Sequence, residues 1–140
     1  MLIVQQVSKS FGSFQALDKV SFEMKKGDIV GLLGKNAAGK TTLMRILTSF
    51  ISASSGKVHI DGDDIARHSL TIRQKIGYLP EKPPLYGDMT VQYYLKFAAE
   101  IKGVPKNNRL SQLAKVLEEC DLEQVKQKTI ATLSKGYKQR

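Results

Sequence analysis

The feature that most constrains the fold is the segment at residues 34–42, in which two glycines, a lysine and a threonine fit the pattern G-x-x-x-x-G-K-[ST]. It follows an apolar run at residues 29–33 and precedes a stretch whose apolar side chains have helical spacing. That helical stripe comprises Leu43, Ile46, Leu47 and Phe50. A strand that is apolar on both faces is typical of the middle of a parallel sheet covered by helices. The sequence therefore predicts a strand–loop–helix unit whose helix begins at residues 40–42.

This loop has the chemistry of an anion site. Successive N–H groups of a turn, followed by a helix N-terminus, form a concave and partly positive surface, and small residues let phosphate oxygens approach the main chain. We predict that Lys40 reaches the β and γ phosphates of a nucleoside triphosphate, that Thr41 ligates Mg²⁺, and that Thr42 donates to the α phosphate. A chance glycine-rich turn is the alternative, and the flanking strand and helix patterns weigh against it. The predicted binding residues are Gly34, Lys35, Asn36, Ala37, Ala38, Gly39, Lys40, Thr41 and Thr42.

Strand and turn patterns fill the first part of the chain. Strands are predicted at residues 2–7, 20–24, 29–33, 57–60 and 75–79. The turn residues at 25–28 predict an antiparallel hairpin that leads into the run at 29–33. Asp61 and Gly62 predict a tight turn after the fourth strand.

Helical patterns follow Pro83 and Pro84. One apolar stripe is formed by Val91, Tyr94, Leu95 and Ala98, and a second by Leu110, Leu113, Ala114 and Leu117. Thr90 is a predicted N-cap, and Gly103 with Pro105 marks the end of the first helix. We therefore predict an α/β chain with a partial nucleotide-binding core at residues 1–88 and a helical subdomain at residues 89–140.

The net charge of +9 is compatible with a phosphate ligand or with nucleic acid. Its lysines and arginines are scattered and lack interleaved aromatic residues, so we expect no nucleic-acid partner and keep nucleic-acid binding as the minor alternative. The chain contains neither an apolar run of about 18 residues nor a leader-like start, so any membrane association is expected to come through a partner. The single Cys120 is predicted to be a half-buried packing thiol in a reducing cytosol.

Three motifs together resemble those of ABC transporter ATP-binding subunits. They are residues 31–43, residues 76–81, and Leu-Ser-Lys-Gly-Tyr-Lys-Gln-Arg at residues 133–140. The last resembles the family's signature motif, which separates it from other phosphate-loop NTPases. The resemblance extends from Leu2 to Arg140 and implies a P-loop NTPase with N-terminal antiparallel hairpins, part of a RecA-like core and the start of the helical subdomain.

The resemblance also implies roles for residues outside the loop. Phe11 corresponds to the aromatic that stacks on adenine, and a core or hairpin-packing phenylalanine is the equally weighted alternative. Glu81 takes the place of a glutamine that contacts Mg²⁺, so the implied metal ligands are Thr41 and Glu81. Ser134 and Gly136 would bind the γ phosphate held by a second copy in a head-to-tail dimer, although Ser134 equally fits an ordinary helix cap. Ala37 and Lys135 depart from the usual family residues. Ala37 replaces a glycine, and if the loop needs a positive φ there, its Cβ atom costs about 1 kcal/mol.

The family's Asp-Glu strand and switch histidine are absent from residues 1–140, so the sequence offers no catalytic carboxylate or histidine. Residues 58–61 are the one apolar run ending in aspartate, and we reject them because a hairpin turn follows. We therefore expect a truncated subunit that hydrolyses ATP negligibly by itself and exposes a sheet edge and apolar surface.

When complete, such a subunit would couple ATP hydrolysis to transport, in an exporter-type system, through a transmembrane permease at the cytoplasmic face of the membrane. Two alternatives stay open. One is a module that binds ATP without turning it over, and the other is a basic nucleic-acid-binding protein whose affinity would fall steeply with salt.

Overall fold

A computed structural model describes all residues from Met1 to Arg140, which form two compact units, Met1–Tyr78 and Leu79–Arg140. The first unit contains a four-stranded antiparallel sheet with the strand order β2-β1-β3-β4. Its strands are β1 (Leu2–Phe11), β2 (Phe14–Met24), β3 (Ser55–Ile60) and β4 (Asp63–Asp64), and its helices are α1 (Lys40–Leu47) and α2 (Ser69–Lys75). The predicted strands at 2–7, 20–24 and 57–60 are confirmed, as is the turn at Asp61 and Gly62.

A bulge in β1 decides which side chains of the hairpin are buried. Val4 and Val7 are both buried although they are three positions apart, a spacing that strict alternation would place on opposite faces. The register with β2 shifts between them, where Gln6 has a φ of 48°. The amide of Gln6 donates to the Ser21 hydroxyl at 2.9 Å rather than to a strand carbonyl. The bulge therefore returns Val7 to the core face.

The core of the first unit joins the sheet to both helices. It consists of Val4, Val7, Leu17, Leu43, Ile46, Val58, Ile65 and Ile72. Leu43 and Ile46 confirm the predicted stripe of α1, but Phe50 is 71% exposed and lies beyond the helix. The reason is local, because α1 ends at Leu47 and Ser49 takes a left-handed φ of 58°.

Two of the predicted strands are wrong. Residues 29–33 form no strand, and both Ile29 and Leu33 are almost fully exposed. A strand of this kind needs a hydrogen-bonded neighbour on each side, and no other segment within residues 1–140 pairs with it. The turn at 25–28 does form, since Asp28 N donates to Lys25 O at 3.2 Å, but it leads into irregular chain instead of a hairpin partner. Lys75 ends α2, and residues 76–79 are irregular as well.

The second unit is helical. Its helices are α3 (Val91–Ile101), α4 (Arg109–Glu119) and α5 (Lys135–Gln139), with 3₁₀ turns at Lys106–Asn108, Glu123–Val125 and Ile130–Thr132. Thr90 is the N-cap of α3, as predicted, and its hydroxyl accepts from Tyr93 N at 3.3 Å. The contacts assign residues 79–88 to this unit, and the division into domains at residue 88 stays a prediction.

The second stripe is only partly correct. Leu113 and Leu117 of α4 are buried, whereas Leu110 is 72% exposed and Ala114 is also exposed. Leu113 and Leu117 belong to a buried cluster that also contains Val91, Leu122, Val125 and Ile130. The half-buried Cys120 packs against this cluster. No helix of the chain combines the length and the apolar character needed to cross a bilayer.

Candidate functional site

The segment at residues 34–39 is an irregular loop that runs into the N-terminus of α1. Gly39 is the residue before the helix, with φ 81° and ψ 1°, and its carbonyl accepts the helical hydrogen bond from Leu43 N at 2.8 Å. Because the first amides of a helix lack partners within it, residues 40–42 present their N–H groups on the side of the loop. The predicted loop–helix junction is therefore present at the predicted residue.

Strand β2 supports the loop from behind at Gly39. A Cβ atom added to Gly39 would lie 2.4 Å from the carbonyl oxygen of Ala16 and 2.6 Å from Leu17 Cδ2. A side chain cannot fit at such distances without a shift of the strand backbone. Glycine at this position therefore satisfies both the left-handed φ and the close approach of β2.

The ammonium group of Lys40 closes the loop on itself. Lys40 Nζ donates to the carbonyl oxygens of Gly34 and Lys35, each at 2.7 Å. An ammonium group has three N–H donors, so one donor is left after these two bonds. The positive charge of Lys40 therefore lies against the main chain that begins the loop.

The amides of the loop are available to a ligand. Among the N–H groups of residues 35–42, that of Ala38 donates to a protein acceptor, Lys35 O at 3.2 Å, and the others have no acceptor in the chain. Several unpaired donors, a helix N-terminus and an ammonium group thus occur within one short segment. This arrangement favours an anion.

Ala37 adopts the conformation that sequence reasoning identified as costly. Its φ is 64°, in the left-handed region where a Cβ atom is disfavoured, and the residue is exposed. We predict that Ala37→Gly raises the free energy of unfolding by up to about 1 kcal/mol and leaves ATP affinity equal or higher. Urea unfolding measured beside Ala38→Gly, whose φ is not positive, checks this result. Equal destabilisation by both substitutions would contradict it.

Thr41 and Thr42 lie in the first turn of α1, with Thr41 exposed and Thr42 half-buried. A hydroxyl oxygen is a suitable ligand for Mg²⁺, which takes few protein ligands and completes its shell with phosphate oxygens and water. The chain brings together no group of three or more His, Cys, Asp or Glu side chains that would hold a metal by itself. The donor set fits a metal that arrives with a phosphate ligand.

Phe11 lies at the end of the β1–β2 hairpin and is 51% exposed, so it is not a core residue. Phe14 is directly opposite on β2, and Lys9 Nζ lies 5.1 Å from the centroid of the Phe11 ring. The hairpin-packing and base-stacking interpretations of Phe11 both fit this placement. Phe14 and Lys9 were not predicted from the sequence, although an aromatic residue on each side of Gly12-Ser13 indicates a hairpin.

The remaining predicted site residues belong to the second unit. Ser134 is the N-cap of α5, and its hydroxyl accepts from Tyr137 N at 3.3 Å, so the capping interpretation is correct whatever else the residue does. Gly136 is exposed within α5, and Glu81 is exposed in a bend. The binding roles of these three residues stay predictions.

Comparison with known proteins identifies the family to which the chain belongs. The family described as "ABC transporter" matches residues 17–140. The bacitracin transport ATP-binding protein BcrA of Bacillus licheniformis is 35% identical over 96% of this chain and 43% of its own length. The probable sulfate/thiosulfate import ATP-binding protein CysA of Chlorella vulgaris is also 35% identical, over 99% of this chain and 58% of its own.

A solved structure described as the ATP-binding subunit of an ABC transporter superimposes with a TM-score of 0.88 at 31% identity. It covers 99% of this chain, and this chain covers 58% of it. The chain spans about half the length of several curated relatives, 46% of one and 48% of another, and 24% of the length of a third. The expected α/β fold of an ABC ATPase is confirmed, and the chain belongs to the ABC transporter family, among its ATP-binding proteins.

Proposed function

We propose that this chain binds ATP with Mg²⁺ through residues 34–42, as the nucleotide-binding portion of an ABC transporter ATP-binding subunit. The observation that carries the proposal is the set of unpaired loop amides beside the Lys40 ammonium at the start of α1. Amide donors and one ammonium group together offset the charge of a polyphosphate. Thr41 would ligate the metal, with Glu81 as its proposed second protein ligand, and Phe11 would stack on the base.

We propose further that residues 1–140 do not catalyse hydrolysis by themselves. The carboxylates that follow β3 are engaged in ion pairs, since Asp61 binds the N-terminal ammonium group and Asp63 accepts from Lys75 Nζ at 2.9 Å. These hydrogen bonds hold the pKa of both carboxyl groups below the usual range. A carboxylate held in this way is a poor base for a water molecule. This supports the rejection of residues 58–61 as the catalytic strand.

The test uses the 140-residue chain in two assays. Isothermal titration with Mg-ATP is expected to show saturable binding, and a steady-state phosphate-release assay is expected to show no turnover above the protein-free rate. The loop geometry predicts the binding, and the ion-paired carboxylates after β3 predict the lack of turnover. Turnover on the order of 1 s⁻¹, the low end of ordinary enzymes, would contradict the second proposal and leave the first intact. No binding would contradict the first.

For the complete subunit we propose a permease partner, a location at the cytoplasmic face of the membrane, and a head-to-tail dimer that places Ser134 and Gly136 of one copy on the γ phosphate of the other. The matched relatives are named for bacitracin transport and for sulfate import, so they support transport without choosing a direction. The exporter-type assignment rests on the resemblance of residues 78–81 alone. Sedimentation of the complete subunit with and without Mg-ATP tests the dimer, which should form with nucleotide and fail with Ser134→Arg.

A further inference from the structure

The second unit contains a cavity of about 350 Å³ that shares a single residue, Glu81, with the proposed ATP site. We propose that it binds a small organic anion, one with an apolar body and a carboxylate or phosphate group. Its volume is in the range of small-molecule pockets. The cavity is lined by Glu81, Lys82, Pro83, Leu85, Lys135 and Lys138, with Gly87, Ile130, Ala131 and Gln139 completing it.

Main-chain hydrogen bonds hold the two walls of this cavity together. Ala131 N donates to Gly87 O at 2.8 Å, and Ile130 N donates to Met89 O at 2.9 Å. In the same loop, the ring of Tyr86 packs edge-on against Phe97 with centroids 5.7 Å apart. Because these backbone bonds and this aromatic contact hold residues 86–89, the cavity is formed before a ligand arrives. A preformed site saves the entropy cost of ordering its walls.

The lining between the charged groups is apolar. Pro83, Leu85, Ile130 and Ala131 contribute it, and Gly87 leaves the wall open because it has no side chain. A Cβ atom added at Gly87 would come to 3.5 Å from Ala131 Cβ. The lining therefore favours a ligand with a hydrocarbon or aromatic part over a bare inorganic ion.

The charged groups around the cavity are predominantly positive. Lys82, Lys135 and Lys138 contribute ammonium groups and Glu81 a single carboxylate, and none of these lysines forms an ion pair. Lys138 is half-buried, and its Nζ donates to Ala131 O at 3.0 Å, which holds the ammonium at the wall with two donors left. Unpaired cations beside an apolar surface favour an amphipathic anion.

This inference does not depend on the ATP proposal. Of the residues proposed for the ATP site, only Glu81 lines the cavity, and the anion is attracted by the lysines rather than by this carboxylate. Ser134 and Gly136, the residues proposed for the γ phosphate, do not line it. Lys135 and Lys138 are three residues apart in α5 and therefore lie on one side of it. The cavity and the loop at 34–42 also belong to different compact units, so a ligand at one can be distinguished from a ligand at the other.

The experiment titrates phenyl phosphate into the 140-residue chain and follows methyl and amide NMR signals. We expect shifts at Leu85, Ile130 and Ala131, and an affinity at least 10-fold above that for inorganic phosphate or for neutral benzyl alcohol. Lys138→Gln and Ala131→Leu, which remove charge and fill space respectively, should each weaken the binding 10-fold or more. Lys106→Gln, an exposed lysine outside the cavity, is the matched control and should leave it unchanged.

Three results would overturn the inference. One is the absence of shifts at the cavity residues, and another is equal affinity in the Lys138 and Lys106 variants. The third is that the shifts occur at residues 34–42 alone, which would place the probe in the phosphate loop and support the ATP proposal while refuting this one. Conversely, cavity shifts in a chain that fails to bind Mg-ATP would support this inference and refute the ATP proposal. Unchanged spectra of the free variants show that they remain folded.

Discussion

Lys40→Ala is expected to weaken the binding of Mg-ATP by at least about 100-fold, or about 3 kcal/mol. The side chain supplies the one ammonium group that the loop directs at its own main chain, where it contacts Gly34 O and Lys35 O. Charge-assisted hydrogen bonds to phosphate oxygens are among the strongest that a protein makes, and a neutral methyl group replaces none of them. Titration calorimetry measures the loss directly.

The matched control for Lys40 is Lys57→Ala, because Lys57 is an exposed lysine of the same compact unit and carries the same charge. It should leave the dissociation constant within about 2-fold, since a distant surface charge is screened by salt. If both variants bind ATP as the parent chain does, the loop is not the nucleotide site. If both lose affinity equally, net charge is the cause, as the nucleic-acid alternative would require.

Gly39→Ala is expected to cost about 2 to 4 kcal/mol of unfolding free energy and to abolish ATP binding. The new Cβ would meet Ala16 O at 2.4 Å and Leu17 Cδ2 at 2.6 Å, so β2 or the start of α1 must move. The left-handed φ of 81° adds its own strain. Because Leu17 belongs to the core, the displacement should reach the packing of the whole first unit. Urea unfolding monitored by circular dichroism gives the value.

Gly27→Ala separates the two causes of the lost stability, which are the steric contact with β2 and the strain of a left-handed φ. Gly27 has a φ of 93°, yet a Cβ there would find no atom within 4 Å. Only the conformational strain applies, so we expect a cost of about 1 kcal/mol and ATP binding that is retained. Equal destabilisation by the two substitutions would show that the approach of β2 to Gly39 is unimportant.

Local chemistry was readable from the sequence. The loop–helix junction at Gly39, the N-cap at Thr90, the turn at Asp61 and Gly62, and the half-buried Cys120 depend on neighbouring residues, and the structure has each of them. The resemblance to the family, which usually has glycine at this position, predicted strain at Ala37 if its φ were positive, and its φ is 64°. Predictions of this kind succeed because a cap or turn is decided within a few residues.

Features that depend on distant pairing were not readable. Residues 29–33 have the composition of a central strand, but composition does not show whether a neighbour is present. The bulge at Gln6 depends on the register between β1 and β2. The exposure of Leu110 depends on which side chains pack around α4, and none of the buried cluster covers this residue. The cavity beside Lys138 was missed for a similar reason, since Lys82 lies about 50 residues before Lys135 and Lys138 in the sequence.

The irregular segment at residues 29–33 connects the turn at 25–28 to the loop at residues 34–39 and forms no main-chain hydrogen bond. No main-chain hydrogen bond therefore fixes the five residues that lead into the loop, and a ligand that needs them in one conformation must itself offset the entropy cost of ordering them. A strand that paired with residues 29–33 would also order them, and its hydrogen bonds would offset the same entropy cost. The two binding events are thus thermodynamically linked, and each must raise the affinity of the chain for the other by the same factor.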